Sequence, residues 1–221
     1  IDPDGTESLI TTLDTEGGFG MLGLAIDGDD NLYAALSSGN ADVNGVHQIS
    51  PSGESSVLAG SGAIGVPNAI TLDEEGNLFV SDTVLAAVWR ISQQGEAEMW
   101  LQDESLAGTE EFGFGVPVGA NGIAYRDGAL YVANTEKGQI VRIAIEDDGS
   151  AGTPEVLELD AELLLGADGI IFDDEGNLYV VSVSGDTLMK VEMSDEAQAV
   201  TVLADRSDGL DGPASLVFGT G

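Results

Sequence analysis

The sequence predicts an all-β protein, a β-propeller of four-stranded antiparallel blades, on three observations. A hairpin signature recurs four times at nearly constant spacing, two further β-type runs follow most copies, and no stretch carries a 3.6-residue apolar period. Helix should therefore be nearly absent.

The hairpin copies read Leu24-Ala25-Ile26-Asp27-Gly28-Asp29-Asp30-Asn31-Leu32-Tyr33-Ala34, then Ile70 to Val80, Ile123 to Val132, and Ile170 to Val180. Their central residues Leu32, Leu78, Leu130 and Leu178 are 46, 52 and 48 residues apart. Each copy places two short β-type runs around a Gly/Asn/Asp turn, which is how a hairpin is written. A third run follows as Val46-His47-Gln48-Ile49, Val88-Trp89-Arg90-Ile91, Ile140-Val141-Arg142-Ile143 and Leu188-Met189-Lys190-Val191. Turns such as Ser50-Pro51-Ser52-Gly53 then lead into a fourth run, for example Ser55-Ser56-Val57-Leu58 or Ala199 to Leu203. Four short strands per unit of about 46 residues describe a propeller blade.

One domain is expected over residues 1–221, with full blades at 22–67, 68–120, 121–167 and 168–213. Residues 1–21 align with the end of a blade: Ile1 falls at the close of a third strand, Asp2-Pro3-Asp4-Gly5 is the turn, and Leu9 to Leu13 the outermost strand. Residues 214–221 align with the start of another, Ala214 to Phe218 matching Asp168 to Phe172. The expectation is four complete blades and two partial ones, a fragment of a six-bladed propeller. The alternative is five blades with an irregular closing sheet.

Composition excludes several classes of function. Six Lys+Arg against 40 Asp+Glu give a net charge of −34, incompatible with the basic patch that nucleic acid or an anionic membrane surface requires. With no cysteine and a single histidine, His47, there is no thiolate or multi-histidine metal site and no disulfide framework. No run of 18 apolar residues occurs. Only Lys137 and Lys190 are lysines, and such acid-rich, lysine-poor surfaces keep proteins hydrated in strong salt. A saline setting, extracellular or periplasmic, is the expectation; an acidic secreted protein at ordinary salt is the alternative.

Equivalent positions on successive blades point at one axis, so the residues opening each inner strand form a ring: Leu22, Asn68, Asn121, Asp168 and Ala214. Two amide oxygens and a carboxylate suit a hard, oxygen-seeking cation such as calcium rather than zinc or copper. The alternative is that the asparagines satisfy local backbone groups.

The segments Asn121 to Asn134 and Asp168 to Val180 resemble the fourth- and fifth-blade motifs of the senescence-marker-protein/gluconolactonase family, and the resemblance runs over the whole chain at the level of repeats. It implies a six-bladed propeller that holds calcium in a central channel and hydrolyses lactones and related esters. It implies Asn68, Asn121 and Asp168 as metal ligands, with a further Glu before residue 1, and Asp168 as ligand and candidate catalytic base. It also implies a small-molecule lactone or ester substrate and a monomer when complete. Blade three reads Val66-Pro67-Asn68-Ala69, without the Arg-Asn-Asp-Gly pattern through which some lactonases contact substrate. Propellers of NHL-type repeats share the turn signature without catalysis, so the second reading is a non-enzymatic propeller binding a protein, glycan or small ligand on its top face.

Three other features are assigned ordinary roles. Asp27-Gly28-Asp29-Asp30-Asn31 lacks the Gly and Glu of an EF-hand loop and recurs as a hairpin turn. His47 occupies the strand position of Trp89, Val141 and Met189 and is no catalytic base. Arg90, Arg142 and Lys190 share one repeat position and are expected to pair with carboxylates between blades. The link from Gln102 to Ala120, with Phe112 and Phe114 among glycines, is a candidate mobile lid.

Overall fold

The computed structural model describes residues 5–193 and 198–219. Among them stand four antiparallel sheets of four strands, each a simple meander in chain order. The first holds β1 (Gly20–Ile26), β2 (Leu32–Ser37), β3 (Gly45–Ile49) and β4 (Ser55–Val57). The second holds β5 (Pro67–Leu72), β6 (Leu78–Asp82), β7 (Ala87–Ile91) and β8 (Ala97–Gln102). The third holds β9 (Ala120–Arg126), β10 (Ala129–Asn134), β11 (Gln139–Ala144) and β12 (Glu155–Val156). The fourth holds β13 (Ala167–Phe172), β14 (Leu178–Ser182), β15 (Thr187–Met193) and β16 (Gln198–Ala204). One four-residue helix, α1 (Ala161–Leu164), and three short 3-10 turns are the other regular elements described.

The hairpin turns form as their residues dictate. Asp27 Oδ1 accepts from the backbone N–H groups of Asp29 and Asn31, both at 2.9 Å, and Oδ2 from the Asn31 amide at 2.9 Å. Asp73–Asn77 and Asp173–Asn177 repeat the Asp-to-Asn bonds. The acidic loop is thus a self-satisfied Asx turn.

The sheets stack face to face around an axis, and the core lies between them. Ala35 and Val46 pack with Val80, Trp89 and Ile91 between sheets one and two. Phe79 and Val88 pack with Ile123, Leu130 and Val141 between two and three. Ala133 and Ile140 pack with Ile170, Val180 and Met189 between three and four. Strand periodicity produces this: in β6, Leu78 and Val80 face one neighbour and Phe79 the other.

The inner strands β1, β5, β9 and β13 lie side by side. Their approach is so close that a Cβ at Gly122 would overlap the Asp168 carbonyl, and one at Gly169 would stand 2.7 Å from the Ser215 Cα. Each inner strand also breaks register with its neighbour just where it opens. Asn68-Ala69, Asn121-Gly122 and Asp168-Gly169 each set two residues against one on the second strand. These are β-bulges, which re-aim side chains at sheet rims.

The ends carry no further ladder strands among the described residues. Residues 9–13 join no ladder. Ile1 and the turn Asp2-Pro3-Asp4, where their third-strand partner was expected to end, lie outside the described residues. Residues 214–218 form no ladder strand either. They run beside β13, with Gly169 N donating to Ala214 O at 3.1 Å and Phe218 edge-on to Tyr179.

Candidate functional site

The inner strands line an open-sided channel of about 690 Å³, with Leu22, Asn68, Asn121, Asp168 and Ala214 at its ring positions. The three polar residues singled out from the sequence therefore face one space. No Lys, Arg or His lines it among the described residues, and Asp168 is its one carboxylate.

Both asparagines are held by a threonine at the end of the neighbouring second strand. Asn68 Nδ2 donates to Thr83 Oγ1 at 2.9 Å, and Asn121 Nδ2 to Thr135 Oγ1 at 2.9 Å. The Thr135 hydroxyl donates onward to Ala167 O at 2.8 Å, so its oxygen can only accept from Asn121. This fixes the sense of the amide: nitrogen toward Thr135, carbonyl oxygen away from it. Asn121 is buried, and its Oδ1 has no hydrogen-bond partner. A buried unsatisfied acceptor costs about 1–3 kcal/mol and calls for a ligand or a catalytic role.

Asp168 stands at the same repeat position, where Val183 replaces the threonine. Burial pushes its carboxyl up to about 7, while the adjacent Asn121 amide pulls the other way. Serine completes the backbone of this ring: Ser81 Oγ accepts from Ala69 N at 3.0 Å and donates to Asn121 O at 2.5 Å, tying β5 to β9.

The donor set meets the needs of a hard cation by chemistry. It offers an orphaned buried amide oxygen, a second amide whose nitrogen bonds Thr83, and a carboxylate with no basic neighbour in the channel among the described residues. Among the described residues no cluster of three His, Cys, Asp or Glu side chains occurs, so amide oxygens carry most of this set.

The remaining candidates lie elsewhere. His47 is buried in β3, its Nε2 2.7 Å from Val43 O, and does not line the channel. Arg142 pairs with Glu155 at 4.0 Å within its own sheet, not between blades, because β12 brings Glu155 directly opposite it. Arg90 lines a crevice between sheets two and three with Asp73, Glu75 and Asp148.

The link expected as a lid is instead fastened down, by a residue the sequence reading overlooked. The Glu136 carboxylate is buried and accepts from the backbone N–H groups of Thr109, of Glu110 at 2.8 Å, of Phe112 at 3.0 Å and of Val118 at 3.2 Å. Burial pushes the Glu136 carboxyl up, but these four bonds together outweigh it and hold it below the usual carboxylate range. Asn134 Nδ2 adds bonds to Ser105 O at 2.8 Å and Ala107 O at 2.9 Å. The signal was faint: a lone acid in a turn, Asn134-Thr135-Glu136-Lys137, within a chain of 40 acids.

With the fold and this geometry described, comparison with solved structures places the chain among propellers. A structural-genomics protein described as a gluconolactonase candidate superposes with a TM-score of 0.67 at 19% identity, over 90% of this chain and 67% of that one. A gluconolactonase from Xanthomonas campestris gives 0.60 at 18%, over 82% and 61%. Virginiamycin B lyase from Staphylococcus aureus gives 0.59 at 14%, over 88% and 58%. At such identities the likeness establishes the propeller fold, and this chain has it. The chain spans 54–58% of the length of the streptogramin B lyases it matches. No protein-family model and no curated protein matches the sequence.

Proposed function

We propose that the protein is a calcium-dependent hydrolase of lactones or esters, working in the channel between the inner strands. The observation that carries this reading is the Asn121 Oδ1, buried and without a hydrogen-bond partner, in the same channel lining as the carboxyl of Asp168. Gluconolactonases among the structural neighbours support the substrate class.

Asn68, Asn121 and Asp168 would hold the ion through side-chain oxygens. Bound calcium supplies Lewis-acid polarisation of a substrate carbonyl. The chain's own residues do the rest. Thr83 and Thr135 hold the amide nitrogens aside, so that the oxygens are presented without reorganisation. Asp168, the one carboxylate in the channel lining, takes the proton from an attacking water. Ile123 and Ile170, both buried, supply apolar lining beside the ring.

The test is calorimetric titration of the full-length protein with calcium, alongside hydrolysis of glucono-δ-lactone and an aryl ester with calcium or with chelator. Binding and calcium-stimulated turnover are expected, and Asp168→Ala should abolish both. Calcium binding without turnover of either substrate would favour the non-enzymatic propeller. An Asp168→Ala protein that still binds and turns over would refute the site.

A further inference from the structure

A belt of backbone hydrogen bonds joins the sheets at the end where their inner strands open. Val183 N donates to Gly166 O at 3.0 Å, Gly166 N to Thr135 O at 2.9 Å, and Thr135 N to Gly119 O at 3.1 Å. Gly119 N then donates to Thr83 O at 3.2 Å, and Thr83 N to Val66 O at 3.1 Å. The belt alternates between the link that enters an inner strand and the residue that follows a second strand. Two of those following residues, Thr83 and Thr135, hold the Asn68 and Asn121 amides.

The link into β9 is the longest of the three that join one sheet to the next. A long link has more conformational freedom to lose, so its place in the belt depends on what fixes it. Glu136 fixes it: Oε2 accepts from the N–H groups of Thr109, Glu110 and Val118, and Oε1 from that of Phe112. Val118 stands just ahead of Asn121 in the chain, and Thr135 is the neighbour of Glu136. One buried carboxylate thus bonds the entrance of the strand that carries Asn121 and adjoins the residue whose hydroxyl orients it. The packing there has no slack. A Cβ at Gly108 would crowd Val118 N at 2.5 Å and Glu136 Oε2 at 2.6 Å.

The same repeat position faces the link in the sheets on either side. A Cβ at Gly65 would stand 2.9 Å from Val84 Cγ2, and Ser184 Oγ donates to Leu165 O at 3.1 Å. Of Val84, Glu136 and Ser184, the acid is the one beside the long link. We infer that Glu136 is a positioning residue for the site. By fastening the link into β9, it holds Asn121 and Thr135 in the register that binds the amide nitrogen and leaves the oxygen free. Its role toward an ion rests on the calcium reading; its hold on the amide does not.

The experiment reads the Asn121 side-chain amide by nitrogen–proton correlation NMR of the full-length protein without calcium. The signal is assigned by its loss in Asn121→Asp. The Trp100 indole N–H, bonded to Gly149 O at 2.8 Å, reports in the same spectrum that the fold is intact. Glu136→Ala should move the Asn121 signal toward its position in Thr135→Val while the Trp100 signal stays. Calorimetric titration should then show calcium affinity ~10-fold lower, the usual scale for a residue that acts through a ligand's partner. Glu136→Gln is the conservative variant. Its amide oxygen can take the three N–H groups at Oε2, but its NH2 group meets the Phe112 N–H, so both readouts should fall between parent and alanine. This isosteric variant carries the decision should Glu136→Ala lose the Trp100 signal. An Asn121 signal unmoved in a folded variant overturns the inference, whatever calcium does. A signal that moves while calcium affinity holds overturns it too, since the amide is then not positioned for the ion. If the parent binds no calcium, the calcium reading fails, and the amide signal alone upholds or overturns the hold of Glu136 on Asn121.

Discussion

Thr135 Oγ1 lies 2.9 Å from Asn121 Nδ2 and donates its own proton to Ala167 O, so one hydroxyl joins three elements and decides which end of the Asn121 amide is left free. Thr83 Oγ1 accepts from Asn68 Nδ2 at the equivalent place one blade earlier. Asp168, opposite Val183, is left without this support. The ring is thus two amides bonded to threonines followed by a carboxylate with no basic side chain in the channel lining among the described residues.

Thr135→Val keeps the side-chain volume and removes the hydroxyl, orphaning Asn121 Nδ2 and Ala167 O in a buried setting. The expected loss of stability is about 1–3 kcal/mol, read from urea unfolding. Calcium affinity should fall ~10-fold, about 1.4 kcal/mol, because the amide is free to turn. Thr83→Val should cost less, since Asn68 is half-buried and water can replace the partner. Equal and negligible effects at both sites would show that the hydroxyls do not orient the ring.

The raised Asp168 pKa makes stability depend on pH with a definite sign. In the unfolded chain this carboxyl ionises near its ordinary value of 3.8, whereas the fold keeps it protonated up to about 7. Its contribution is therefore fully present below about pH 4 and is lost as pH rises through 7, where the fold must also ionise it. Urea midpoints taken with chelator between pH 5 and 8 should fall more steeply in the parent than in Asp168→Asn. Added calcium should flatten the parent's slope, since it binds the ionised form. Parallel slopes in the two proteins would remove Asp168 as the titrating group.

Self-repulsion among 40 acidic residues opposed by six basic ones should weaken the fold in dilute buffer. Raising potassium chloride from about 0.1 to 1 M shortens the screening length from about 10 to 3 Å. The melting temperature should rise across that range, measured with chelator so that no specific ion contributes. A flat or falling profile would mark an acidic protein with no adaptation to salt.

Much of the fold was legible in the sequence because strand alternation and Asx-turn chemistry are local. Leu78-Phe79-Val80 announces a strand buried on both faces, and Asp73 with Asn77 closes its turn by bonds that span four residues. Equal repeat positions also placed Asn68, Asn121 and Asp168 in one channel, since stacked blades share an axis. The bulges were half-written, as Asn-Gly and Asp-Gly inside apolar runs, a pattern that signals close backbone approach.

Contacts between units that are distant along the chain were decided only by the tertiary structure. Whether Asn121 shows its oxygen or its nitrogen to the channel depends on Ala167, 46 residues further on, accepting the Thr135 proton. The elevation of Asp168 comes from burial, which no local pattern encodes. The Gln102 to Ala120 link is indistinguishable by composition from a mobile glycine-rich loop, and is fastened by one carboxylate, Glu136, that lies beyond it in the chain. Sequence alone determined the blades and their shared axis, because those follow from short-range periodicity. Desolvation and long-range hydrogen bonding, which exist only once the blades are packed, decided which groups on that axis stand free to bind.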